Sequence, residues 1–185
     1  MKPKPSGLTS WIDTVTEHMP QLSKPQAVVL ALWSFGMVMA QSCGLTSVSA
    51  ALANLLGKKE NTVRQQLREG YQGAKDKKGA GGKGVQRQEV EVTTCFAPLV
   101  CWVLSAWPPT ERRLALAMDA TPLASLFTVL AISIVYRGCA IPVARVVLPA
   151  TAPGAWKEHW LALFEHLRGR VPVGWTVIVL ADRGL

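Results

Sequence analysis

The chain has 185 residues, 49% of them hydrophobic and 17% charged, with a net charge of +8. That apolar content excludes wholesale disorder, and the length suits one ordinary domain plus a small second one. The positive excess points to a polyanionic partner, either nucleic acid or an anionic membrane surface.

Residues 1–24 carry Pro3, Pro5 and Pro20 among polar residues. They read as a loose start with one short helix over Trp11–Met19. Residues 25–72 follow as a helical region. Its longest apolar run, Ala27–Ala40, holds 14 residues and includes Ser34 and Gly36. A spanning helix needs ~20 apolar residues, so this run is expected to be a buried core helix. The stretch before it carries Asp13 and Glu17 and makes a poor leader peptide. No membrane segment is expected.

Leu52–Leu67, LANLLGKKENTVRQQL, has the pattern of a helix-turn-helix. Leu52, Leu55 and Leu56 give a first helix its apolar face, and Gly57 permits a sharp turn. Asn61 and Thr62 fall in the first turn of a second helix, where side-chain oxygens can cap free N–H groups. Val63 and Leu67 are four apart and point inward together, which sends Arg64, Gln65 and Arg68 outward. Those residue types reach base edges or phosphates in a major groove. A plain helical hairpin with a solvated face has the same pattern, so charge must decide between them.

The charge is local. From Lys58 to Gln88 there are nine Lys/Arg against Glu60, Glu69 and Asp76, which accounts for six of the eight net charges. Lys58, Lys59, Thr62, Arg64, Gln65 and Arg68 are therefore assigned to DNA contact. Residues 73–88, GAKDKKGAGGKGVQRQ, read as a flexible basic linker. Its Lys75, Lys77, Lys78 and Lys83 would grip phosphates without reading sequence.

Residues 89–110 are expected to form a connecting helix over Thr94–Trp107. Pro108 and Pro109 close it. After Glu111 the period changes to two: Leu114, Leu116 and Met118 alternate with Ala115, Ala117 and Asp119. Phe127–Tyr136 is a second strand, and Arg137-Gly138 a tight turn. Ala140–Leu148 is a third strand, which Pro142 consigns to a sheet edge. Gly154–Arg168 is an amphipathic helix with Trp156, Trp160, Phe164 and Leu167 on one face, stopped by Gly169. Trp175–Leu180 is continuously apolar and reads as a strand buried on both faces, parallel to the first. His159 and His166 on the amphipathic helix read as surface residues. Cys43, Cys95, Cys101 and Cys139 match no zinc spacing and read as reduced thiols.

Asp119 and Asp182 each end an apolar strand. If those strands are parallel neighbours, the two carboxylates lie at the same end of the sheet. Mutual repulsion is relieved by a divalent cation, and Mg²⁺ accepts a few carboxylates plus water and phosphate oxygens. Each aspartate also sits in a turn-like sequence, Asp119-Ala120-Thr121-Pro122 and Asp182-Arg183-Gly184, and a simple turn cap is equally compatible with the spacing. Arg183 is most simply a partner for a carboxylate.

The stretches LALAMDAT, FTVLAISIVYRGCAIPVARVVLPA, GAWKEHWLALFEHLRG and WTVIVLADRGL closely resemble the bacterial insertion-sequence transposases of the DDE type. The likeness runs from about Cys43 to the end and includes GLTSVSAALANLLGKKENTVRQQLREGY. It implies an α/β chain in which an N-terminal all-helical, helix-turn-helix-like region precedes a partial RNase H-like mixed sheet in residues 111–185, ordered strand-strand-strand-helix-strand. It implies Asp119 and Asp182 as the first two catalytic and metal-holding acids, with Mg²⁺ or Mn²⁺ as cofactor. It also implies transposon-end DNA as partner, a homo-oligomer as an allowed assembly, and a bacterial, nucleoid-associated location in the cytoplasm. Similar proteins carry a third acid, a glutamate, well after the second aspartate, and nothing in this chain matches it. The chain therefore reads as an N-terminal fragment with little or no transposition activity alone. The alternative is a non-catalytic DNA-binding protein acting through the helix-turn-helix, able to inhibit an intact transposase.

Overall fold

The computed structural model describes residues 6–72, 89–150 and 156–182. The chain is α/β and divides into two compact units, Met1–Glu91 and Val92–Leu185. The basic stretch 73–88, with Lys75, Lys77, Lys78 and Lys83, lies outside the described residues, as does Arg183.

The first unit is helical: α1 (Ser6–His18), α2 (Lys24–Ala40), α3 (Leu45–Leu56) and α4 (Glu60–Tyr71). Leu8, Ile12 and Val15 form the buried stripe of α1 at helical spacing. That stripe begins before Trp11, so the helix starts five residues earlier than the sequence suggests. Pro25 sits in the first turn of α2, and the Ser23 N–H donates to Gln26 Oε1 at 2.8 Å, the return half of a capping box. Small residues let α2 approach its neighbours. A Cβ on Gly36 would come within 2.7 Å of Val48 Cγ1 and 2.9 Å of Leu52 Cδ1 on α3, and one on Gly70 would lie 2.6 Å from Val29 Cγ1. Polar ties complete the packing. Trp11 Nε1 donates to Ser34 Oγ at 2.8 Å, and Trp33 Nε1 donates to the Leu67 carbonyl at 3.3 Å, near the C-terminal end of α4.

Among the described residues no single helix is long and apolar enough to cross a membrane; α2 and α3 pass such a test only as a pair bent by 96°. The α2 run is a core helix along one stripe, with Ala27, Ala31, Leu32 and Gly36 buried.

The second unit opens with a 3₁₀ turn (Val92–Cys95) and α5 (Phe96–Ser105). Then come β1 (Arg113–Leu123), β2 (Phe127–Tyr136), β3 (Cys139–Pro149), α6 (Lys157–Leu167) and β4 (Thr176–Ala181). Phe96 and Val100 of α5, in the segment expected as a connecting helix, pack in this unit's core. The sheet order is β3-β2-β1-β4, antiparallel except for the parallel β1–β4 pair. Arg137 and Gly138 both have positive φ, 49° and 79°, the backbone of a two-residue I′ hairpin. β3 lies at an edge, as Pro142 requires, and a register shift leaves Val143 as an extra residue opposite Ile132 and Ser133.

One face of the sheet makes the core. Leu114 and Leu116 of β1, and Leu130, Ile132 and Ile134 of β2, pack with Trp160, Leu163 and Leu167 of α6. Trp156 and Phe164 are partly buried against the same cluster. β4 departs from expectation. It pairs parallel to β1 but occupies the other edge, and Val177, Ile178, Val179 and Leu180 are all 42–50% exposed. Its apolar run suggested burial on both faces, yet among the described residues it has a hydrogen-bonded neighbour on one side only. The four cysteines are free thiols.

Candidate functional site

Two places are candidate sites, one in each unit. In the sheet, register decides. Leu114, Leu116 and Met118 pair with Val177, Val179 and Ala181 across the parallel strands. Met118 and Ala181 are the last pair, and the next residues are Asp119, still in β1, and Asp182, just past β4. Parallel strands in register carry equivalent positions to the same level, so both aspartates stand one residue past the last β1–β4 pair. Asp119 does not end its strand or sit in a turn as the sequence suggested, because β1 runs on to Leu123 against β2. Both are exposed.

Asp119 belongs to the face opposite the core, because side chains alternate along a strand and Met118 and Ala120 turn toward the core cluster. The Thr121 hydroxyl, two residues on and on that same face, donates to Asp119 Oδ2. Across the sheet Asp119 pairs with Ala131, and Ala131 pairs with Arg145. A carboxylate and a guanidinium thus share one rung with a small alanine between them, two strand spacings or about 10 Å apart along the backbone. The sequence did not mark Thr121 or Arg145 as site residues. Thr121 was findable from the period of two; Arg145 required the register.

The donor set is limited. Among the described residues no group of three or more His, Cys, Asp or Glu side chains gathers as a metal site. Two carboxylates fit the mode in which Mg²⁺ keeps several waters and takes its remaining oxygens from phosphate, and do not fit an all-protein cage. His159 is half-buried and His166 exposed, its ring edge-on to Phe96 at 5.7 Å. Neither joins the aspartates in a donor cluster.

The helical site is the pair α3–α4. α3 ends at Gly57 in the left-handed region (φ 62°), and the Lys58 N–H returns to the Ala53 carbonyl at 3.0 Å. Lys58 and Lys59 complete the turn, and Lys59 is the N-cap of α4. Asn61 and Thr62 therefore sit inside the helix and do not cap it; no side chain caps this end. Val63 and Leu67 are fully buried, which turns the opposite stripe of α4 outward. Asn61, Arg64, Gln65, Arg68 and Tyr71, with Leu45 of α3, line a concavity of about 360 Å³. Lys58, Lys59, Thr62, Gln65 and Arg68 are exposed, and Arg64 is half-buried.

Arg64 is held on two sides. Its Nη2 donates to Glu60 Oε1 at 3.0 Å and to Thr46 Oγ1 of α3 at 3.2 Å. Its Nε is buried with no hydrogen-bond partner among the described residues. Gln65 Nε2 donates to Glu69 Oε1 at 3.1 Å. Asn61 and Tyr71 were not singled out from the sequence as groove residues, although their offsets of three and seven from Arg64 place them on its stripe.

No protein-family model matches this chain, and no curated protein and no solved structure matches it either.

Proposed function

We propose that the chain carries the DNA-binding region and the first two catalytic acids of a DDE-type transposase of a bacterial insertion sequence. In this reading the first unit binds DNA through a helix-turn-helix, and the second is a partial RNase H-like core. The single observation that carries the reading is the β1–β4 register, which sets Asp119 and Asp182 at one level, each one residue past the last pair of the two parallel strands. Two exposed carboxylates at one level supply the few protein oxygens that a hydrated Mg²⁺ takes.

Asp119 and Asp182 would hold Mg²⁺ or Mn²⁺. When bound, such an ion stabilises charge on a phosphoryl group undergoing in-line displacement. The chain's own residues contribute orientation. Thr121 donates to Asp119 and restricts the carboxylate's rotation. Arg145, on the same rung, offers a fixed positive charge to a phosphate lying across that face. Such a protein would work on transposon-end DNA in the bacterial cytoplasm, associated with the nucleoid.

A second reading, DNA binding without catalysis, is favoured by the limited donor set and by the outward stripe of α4. Loss of the free Mn²⁺ electron paramagnetic resonance signal on titration separates the two. Wild-type chain should bind Mn²⁺ saturably, and Asp119→Asn or Asp182→Asn should each abolish it. Equal Mn²⁺ uptake by all three proteins would leave only the second reading.

A further inference from the structure

We infer that Glu60 and Glu69 hold Arg64 and Gln65 back from bare phosphate, and so make the outer stripe of α4 a reader of duplex DNA base edges rather than a grip on the backbone. The inference rests on the DNA-binding reading of the first unit.

Charge is the first support. The basic excess of this region does not reside on α4, whose charged residues are Arg64, Arg68, Glu60 and Glu69, two of each sign. Sequence-independent affinity scales with the number of phosphates neutralised, so a neutral helix adds little to it. The exposed Lys58 and Lys59, in the turn before α4, are placed to do that work.

Geometry is the second. Glu60 lies one turn before Arg64 and Glu69 one turn after Gln65, and each acid accepts a hydrogen bond from its partner. The Arg64–Glu60 pair is partly exposed, 39% and 43%, and exposed pairs exchange readily for a better partner. A phosphate competing for Arg64 brings a second anion beside Glu60 and is repelled. The neutral edge of a base meets no such repulsion, and it offers arginine, asparagine and glutamine paired acceptors and donors. Turning the guanidinium toward such an edge also gives the orphaned Nε a partner. From Asn61 to Arg68 the stripe is about 10 Å long at 1.5 Å per residue, roughly three base-pair steps.

The test uses the full chain as wild type, Glu60→Gln, Arg64→Ala, the double variant, and Glu17→Gln as an exposed acid on α1. Fluorescence anisotropy reads affinity for a random-sequence 20-base-pair duplex across a salt series, and selection from a randomised duplex pool reads sequence preference. Glu60→Gln should tighten random-duplex binding by roughly three- to tenfold and steepen the salt slope by about one, the increment expected when one more phosphate is neutralised. That increase should vanish in the Arg64→Ala background, and the selected preference should weaken. If Glu60→Gln matches Glu17→Gln, or its tighter binding survives without Arg64, the inference is overturned while DNA binding stands. If no variant binds any duplex, the DNA-binding reading falls and the inference goes with it. Circular dichroism confirms that every variant retains its helices.

Discussion

Met118 and Ala181 are the last in-register pair between two parallel strands, and an aspartate follows each. The pair joins residues more than sixty positions apart in the chain and turns a mid-strand aspartate and one just past a strand end into neighbours at one level. The α6 crossover makes this possible by returning the chain to run alongside β1 rather than beside β3.

The turn lysines should carry the salt dependence of DNA binding. Replacing Lys58 and Lys59 with alanine should reduce the log–log salt slope by about two, near 0.9 for each phosphate left without its lysine. Asp119→Ala should leave that slope unchanged. Anisotropy on a random duplex measures both; an unaltered slope in the lysine variant would move the phosphate grip elsewhere on the chain.

Gly36→Ala should destabilise the helical unit. A methyl group adds up to about 1 kcal/mol of helix propensity, yet it would lie within 2.7–2.9 Å of Val48 and Leu52, both fully buried and without room to retreat. Overpacking of that kind costs about 1–3 kcal/mol. The net loss, about 1 kcal/mol, is visible in urea unfolding monitored by helical circular dichroism. A rise in stability would show that α2 and α3 can separate without penalty.

Ile178→Lys should suppress self-association. Ile178 is 45% exposed on a strand with one free edge and no charged residue, a combination prone to pairing with other chains. A lysine there introduces charge repulsion at that edge. Light scattering against concentration should show a smaller mean mass than wild type; identical curves would clear β4 of any part in association.

Much of the sheet was legible because strand signals were local. Phe127–Tyr136 is β-branched and apolar between turn residues, and β2 has those bounds. Pro142 announced an edge because a residue without an N–H cannot sit between two partners. What failed was whatever depended on neighbours. The apolar β4 was read as buried, but burial belongs to the assembled sheet and not to the strand. That Phe96 and Val100 of α5 enter the second unit's core was likewise not legible from the helix alone. Asn61 and Thr62 looked like caps because their chemistry suits capping, but the helix begins two residues before Thr62, at Glu60. For the candidate sites, residue types pointed to Asp119, Asp182, Arg64 and Gln65. The Glu60 and Glu69 hydrogen bonds and the shared rung of Asp119 and Arg145 emerged only from three-dimensional placement.

The two borders of the sheet are not equivalent. A ribbon arriving beside β3 would meet Pro142, which offers no N–H, and the local wrench in twist at Val143. A ribbon arriving beside β4 would meet six consecutive residues without proline or kink. Among the described residues, a strand added to this sheet would meet fewer obstacles on the side on which Asp182 stands.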